Sequence, residues 1–137
     1  MKKLNRQGFT LIELVVVMAI IAVLAVLVVG AITIARNTAK ETTHRANAKA
    51  VQAGLEARYS RTKNYTGISS GNLSAIASDT SVSAVLQMSN VCNNASYNGG
   101  GAVTFSTASG SPAYTINVAN AACDNTNSGD KIDGPVN

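Results

Sequence analysis

An apolar run from Phe9 to Ala35 contains a single ionisable side chain, Glu13, and no proline. At about 1.5 Å per residue, a helix over this run is about 40 Å long, more than the roughly 30 Å of a bilayer core. It is also longer than the core of about 7–15 residues in an ordinary secretory signal. Gly30 is its one weak breaker. Lys2, Lys3 and Arg6 precede the run, which keeps that end cytoplasmic, although Arg36 and Lys40 flank the other end. A carboxylate at mid-membrane costs about 2.5–3.5 kcal/mol on insertion scales. The cost falls near the helix start, where water and headgroups are close, but Glu13 still calls for a reason.

The helical pattern continues past Ala35 without a stop signal. Ala48, Val51, Leu55 and Tyr59 form one stripe, and Lys40, Glu41, Arg45, Lys49, Glu56 and Arg58 supply polar faces. Several alanines raise helix propensity throughout. One long helix is predicted from about Phe9 to about Ser60, apolar over 9–35 and amphipathic over 36–60, with residues 1–8 as a leader. The 137-residue chain has a formal net charge of +4, unevenly spread. The leader and residues 36–63 are basic, whereas Asp79, Asp124, Asp130 and Asp133 outweigh Lys131 in the remainder. The overall basicity is therefore no nucleic-acid signature by itself.

Residues 61–137 are predicted to form a small globular head. Asn64–Gly67 and Ser69–Asn72 are turn-rich. Leu73, Ile76 and Ala77 suggest one short helical turn, and Val82, Val85 and Leu86 another. Residues 102–106 and 113–118 alternate with strand period around Ser109-Gly110-Ser111-Pro112, which predicts a hairpin. Residues 124–134 read as a polar, loop-like tail. The expected fold is α+β, a long N-terminal helix packed on a small antiparallel sheet. Cys92 and Cys123 are the only cysteines. An even count outside the membrane segment suggests an oxidising compartment and one disulfide, with two reduced, buried thiols as the alternative. Closing a loop of about 30 residues would stabilise a small head by roughly 3–4 kcal/mol in the chain-entropy model.

Gly8, Phe9 and Glu13 behind a basic leader, within GFTLIEL and an unbroken apolar run, resemble the class III signal of type IV prepilins and pseudopilins. The resemblance implies cleavage between Gly8 and Phe9 by a membrane-bound prepilin peptidase and N-methylation of Phe9. It further implies that Glu13 of an incoming subunit pairs with the Phe9 amine of a neighbour and fixes register as the apolar helices bundle. Such a pair specifies register better than it stabilises. Leu55–Tyr59, Tyr65-Thr66-Gly67 and Leu73 resemble the helix exit of the same family, where tyrosines and a leucine pack the helix onto the head. Two departures stand out. Thr66 occupies the place of a proline common after the second tyrosine, and Gly30 lies where many relatives carry a helix proline. Cys92 and Cys123 fit the disulfide-closed C-terminal region of many type IV pilins, which major pseudopilins more often lack.

Other patterns carry less. Asp124, Asp130 and Asp133, with Asn125 and Asn127, are calcium candidates, but Thr126 and Ser128 break the EF-hand pattern and a solvated acidic loop is the simpler reading. Asn64, Asn72 and Asn94 begin N-glycosylation sequons, which arise readily by chance in so polar a head. The basic face over 36–63 offers phosphate contacts to DNA, or a solvated or intersubunit face. His44 is the single histidine, so no second one completes a metal site or triad with it. No cofactor and no catalysis are expected.

The expectation is a single-pass precursor in the cytoplasmic membrane, N-terminus inside, that leaves it for an extracellular pilus. Its partners are then prepilin peptidase, the pilus assembly platform, and further copies of itself in a helical filament for adhesion, twitching motility or DNA uptake. The alternatives are a pseudopilin of a type II secretion or competence system and, from another class, a monomeric membrane-anchored binding domain.

Overall fold

The computed structural model describes residues 8–87, 92, 94–124 and 130–137. The basic leader residues Lys2, Lys3 and Arg6 lie outside the described residues, as do Asn125, Thr126, Asn127 and Ser128 of the tail. The chain divides into two compact units, Met1–Arg36 and Asn37–Asn137.

The first unit holds the opening of helix α1, which runs Leu11–Thr62. Every residue from Gly8 to Arg36 is exposed, the large apolar ones included. The predicted helix is present, starting two residues later than expected and ending two later. It stops where Lys63 takes a left-handed backbone, φ 58°. There the Lys63 N–H donates to the Tyr59 carbonyl at 2.7 Å.

In the second unit, α1 from Asn37 onward buries His44, Asn47, Ala48, Val51, Leu55 and Arg58. These positions recur every three or four residues, so they lie on one face of a 3.6-residue helix. Against that face stands a four-stranded antiparallel sheet of order β1-β2-β3-β4. The strands are β1 Gly71–Asn72, β2 Gly101–Phe105, β3 Tyr114–Val118 and β4 Lys131–Asp133. Helix α2, Leu73–Ser78, follows β1 and is capped by Asn72, whose side chain accepts from the Ala75 N–H at 2.7 Å. The core is built from Val51 and Leu55 of α1, Leu73 and Ile76 of α2, and Val103 and Ile116 of the sheet. Each such side chain stabilises the fold by about 1.5–3 kcal/mol when fully buried.

The hairpin stands as predicted, with Phe105 opposite Tyr114 and Gly101 opposite Val118. Three expectations need correction. Residues 124–134 are not all loop, because Lys131–Asp133 pairs with Thr115–Asn117 of β3. Ile132 alone packs against the core there, and one apolar residue sets no period. The helical turn expected over Val82, Val85 and Leu86 does not reach Val85 and Leu86. The Asp79 carbonyl accepts from Val82 and Ser83, each at 3.0 Å, after which the chain runs without helix and leaves Val85 81% exposed. The Asp79 carboxylate takes the Ser81 N–H at 2.8 Å and the Ser81 hydroxyl. Those bonds, with the Arg58 charge adding, hold its pKa below the usual range.

Arg58 is the third correction. It does not sit on a solvated face but is buried, and its Nη2 donates to the Thr66 carbonyl at 2.5 Å. The guanidinium thereby ties α1 to the loop that follows it.

Aromatic rings close the same end of the head. Tyr65 stacks on Tyr59 with centroids 5.0 Å apart and meets Tyr114 edge-on at 5.3 Å, and Phe105 lies 6.2 Å from Tyr65. The expected packing of tyrosines at the helix exit is therefore present. Burial, then the nearby Glu56 charge, pushes the Tyr65 phenol from 10.0 up to about 12. Tyr114 is raised for the same first reason. A group raised in the folded state contributes its stability in full below its unfolded value. That contribution is lost as pH climbs from 10.0 to about 12. Alkaline titration followed by tyrosinate absorbance and near-UV circular dichroism is thus expected to show late ionisation of buried phenols in step with loss of head structure. Full ionisation near 10 with the head intact would contradict this.

Asn47 and His44 secure the opposite end. Asn47 Nδ2 donates to the Gly99 carbonyl at 2.6 Å, and its Oδ1 accepts from the Gln87 N–H at 3.0 Å. Gly100, at φ +105°, runs so close to the helix that an added Cβ would lie 2.8 Å from His44 Cδ2. Beside this approach Cys92 and Cys123 form a disulfide, their Cα atoms 5.5 Å apart. Cys92, Tyr97 and Ala119 make a second, smaller buried cluster there.

Candidate assembly site

Helix α1 begins with a reciprocal cap. Glu13 Oε2 accepts from the Thr10 N–H at 2.8 Å and from the Thr10 hydroxyl at 2.7 Å. The Glu13 N–H in turn donates to Thr10 Oγ1 at 3.3 Å. This is a capping box, in which two otherwise orphaned N–H groups at a helix start are satisfied by side chains. Reading Glu13 as an unpaired carboxylate overlooks Thr10. The signal was available in the sequence, since Thr-x-x-Glu immediately before an apolar run marks a helix start. Within one subunit, then, the carboxylate already has donors and sits near the positive end of the helix dipole.

Phe9 stands just before this cap and is 90% exposed, and Gly8 has no atom within 4 Å of where a Cβ would be. Beyond the cap, Leu11, Val15, Met18, Leu24 and Val29 are all exposed. Helix α1 is long and apolar enough to cross a membrane, and none of its most apolar window is buried in the protein itself. So continuous an apolar surface has no place in water. It needs lipid or other apolar helices around it.

Residues 3–34 match the family described as Prokaryotic N-terminal methylation motif. The chain carries this motif, a class III signal peptide. It is typical of type IV pilins and pseudopilins, and the long N-terminal apolar helix with a four-stranded antiparallel sheet is a pilin-like α+β architecture. The motif generally implies processing by prepilin peptidase and assembly into filaments, and pilin-like proteins are generally non-enzymatic structural subunits. The apolar helix is consistent with a membrane-anchored prepilin. No curated protein and no solved structure matches the chain.

The other sequence candidates resolve into local roles. Asn72 caps α2, Asn94 accepts from the Ser96 N–H at 2.9 Å, and Asn64 accepts from the Thr66 hydroxyl at 2.7 Å. All three sequon asparagines thus hold turns or helix starts. The three acidic calcium candidates are not gathered into one group among the described residues. Asp130 pairs with Arg45 at 3.1 Å, Asp133 accepts from the Thr115 hydroxyl at 2.8 Å, and Asp124 accepts from the Asn120 amide. Arg58 leaves the expected basic face for the Thr66 carbonyl, whereas Arg45, though paired with Asp130, remains exposed with Lys40 and Lys49. Sequence reasoning gave His44 no role, yet it is fully buried and its Nδ1 lies 2.7 Å from the Ala119 carbonyl.

Proposed function

We propose that this chain is a structural subunit of a type IV pilus, cleaved after Gly8, methylated at Phe9 and polymerised through the apolar part of α1. The observation that carries the reading is the fully exposed apolar helix headed by the methylation motif. In the membrane that surface is solvated by lipid. In a filament, packing against the helices of other copies removes it from water. Glu13 then has two tasks, capping its own helix and offering its charge to the Phe9 amine of a neighbour. The amine exists only once the leader is gone, so processing and assembly are coupled. The Cys92–Cys123 disulfide favours a pilus subunit over a pseudopilin of a secretion or competence system. The heads face outward and set what the filament touches in adhesion, twitching or DNA uptake.

Intact-mass and N-terminal peptide mass spectrometry on material sheared from cells tests this directly. The expected chain begins at N-methylated Phe9 and is recovered in the sheared filaments. A chain that retains its leader and stays wholly in the membrane fraction would favour a monomeric, membrane-anchored binding domain. A processed chain that never reaches the sheared fraction would favour the pseudopilin.

A further inference from the structure

His44, Cys92 and Cys123 bring one imidazole nitrogen and two sulfurs within 4.8 Å of one another. His44 is fully buried and Cys92 is 3% exposed. The Ala119 carbonyl can only accept, so His44 Nδ1, at 2.7 Å from it, carries the hydrogen. That leaves Nε2 facing Cys92 Sγ at 3.8 Å. A disulfide sulfur has no hydrogen to give, so this buried nitrogen points its lone pair at a group that cannot donate to it. We propose that, before its cysteines are joined, the head binds one Zn2+ through His44 Nε2, Cys92 Sγ and Cys123 Sγ, and that forming the disulfide expels the metal.

Four features support the assignment. Zinc–ligand bonds of about 2.0–2.3 Å set tetrahedral ligand atoms about 3.5–3.8 Å apart, and the nitrogen–sulfur separation is already 3.8 Å. That separation is to Cys92; the sulfurs must part, and Cys123 Sγ, within 4.8 Å of the imidazole nitrogen, must settle at the same spacing, which is open to it while the two are unjoined in a newly made chain. A histidine whose other ring nitrogen donates to a backbone carbonyl is the usual oriented form of a metal ligand. Two thiolates and one Zn2+ sum to zero charge, which suits a buried site, and thiolate with imidazole selects zinc over magnesium or calcium. Finally, Cys123 is only half-buried, so water can reach the fourth position, as in three-ligand zinc sites with two cysteines and a histidine.

The balance is simple. Two thiols and Zn2+ give a bis-thiolate complex and two protons. Later a disulfide oxidant takes two electrons from the thiolates and two protons from water, is itself reduced to two thiols, the Cys92–Cys123 sulfur–sulfur bond forms, and Zn2+ leaves. The metal therefore holds the head in shape while the thiols are free and is absent from the finished subunit. Binding only the folded form, it raises the stability of the reduced chain by mass action.

The test uses the full chain in detergent, fully reduced with a phosphine under nitrogen, beside the oxidised chain. Co2+ serves as the optical probe and Zn2+ as its competitor. The reduced chain should saturate with one Co2+, showing thiolate charge-transfer and tetrahedral d–d bands that Zn2+ abolishes. Zn2+ should also raise its melting temperature, and the oxidised chain should show none of this. X-ray absorption at the zinc edge of the wild-type complex should show two sulfur neighbours and the scattering pattern of one imidazole, a readout independent of any variant. His44→Gln should weaken binding by at least about tenfold. Equal cobalt binding by reduced and oxidised chains would overturn the proposal, as would a zinc spectrum with sulfur and no imidazole. Retention of full affinity by a folded His44→Gln chain would do the same.

Discussion

Replacing Glu13 with alanine is expected to abolish filament formation while leaving the chain inserted in the membrane. The capping box makes the argument sharper than charge alone would. Glu13 bonds to Thr10 in cis, so losing its carboxylate weakens the start of α1. Losing a cap costs about 0.5–2 kcal/mol, too little to unmake a 52-residue helix whose apolar part, in the proposed precursor, lies in lipid. Insertion itself becomes easier without a charge. Any assembly defect must then come from what the charge does between subunits. Glu13→Gln separates the two tasks, because glutamine can complete a capping box but cannot pair as an ion with the amine of Phe9. Both variants are expected in the membrane fraction and absent from sheared filaments seen by electron microscopy. Normal filaments from the glutamine variant would assign Glu13 to the cap, and normal filaments from the alanine variant would remove it from assembly altogether.

Much of this molecule was legible in its sequence, and the parts that were not share a physical reason. The long helix and the β2–β3 hairpin announce themselves because their own residues carry the period: Ala48, Val51 and Leu55 at helical spacing, Tyr114, Ile116 and Val118 at strand spacing. Strands β1 and β4 are two and three residues long, and they exist because a neighbouring strand offers them an edge. No local pattern records that. Arg58 and His44 look like polar residues on a solvated helix face. They are buried because Thr66 and Ala119, later in the chain, bring carbonyls to them. The assembly site divides in the same way. Gly8, Phe9 and Glu13 stand out by type and spacing, and Thr10 was equally visible by the capping rule. The proposed pairing of Glu13 with another copy would be a contact between chains, which no pattern within one chain records.

Replacing Tyr114 with alanine is expected to cost the head about 3–5 kcal/mol, the usual range for emptying a buried aromatic site. Tyr114 is fully buried, and its ring meets Tyr65 and, at 6.3 Å, Phe105. Its hydroxyl donates to Glu56 on α1, so one side chain on β3 joins sheet, loop and helix. The chain passes so near this ring at Gly134 that a Cβ there would lie 2.5 Å from Tyr114 Cε1. That backbone is held by its own bonds, with the Gly134 N–H donating to the Tyr114 carbonyl at 2.8 Å, so it cannot simply fall into the space left behind. The expected loss is a large fraction of the roughly 5–15 kcal/mol that holds a typical domain together, in a protein with only 4% aromatic residues. Tyr114→Phe keeps the ring and gives up one hydrogen bond, to a glutamate that is exposed and can turn to water, so its cost should be only about 0.5–1.5 kcal/mol. Urea unfolding followed by near-UV circular dichroism reads the head rather than the long helix. A large fall in midpoint for alanine beside a small one for phenylalanine is expected. Similar midpoints for the two would show that the hydroxyl bond to α1, not the ring, holds this end of the head. Because this variant acts on the head while Glu13→Ala acts on the helix start, the first should reach the membrane with a loosened head. The second should reach it with the head intact and fail only at polymerisation.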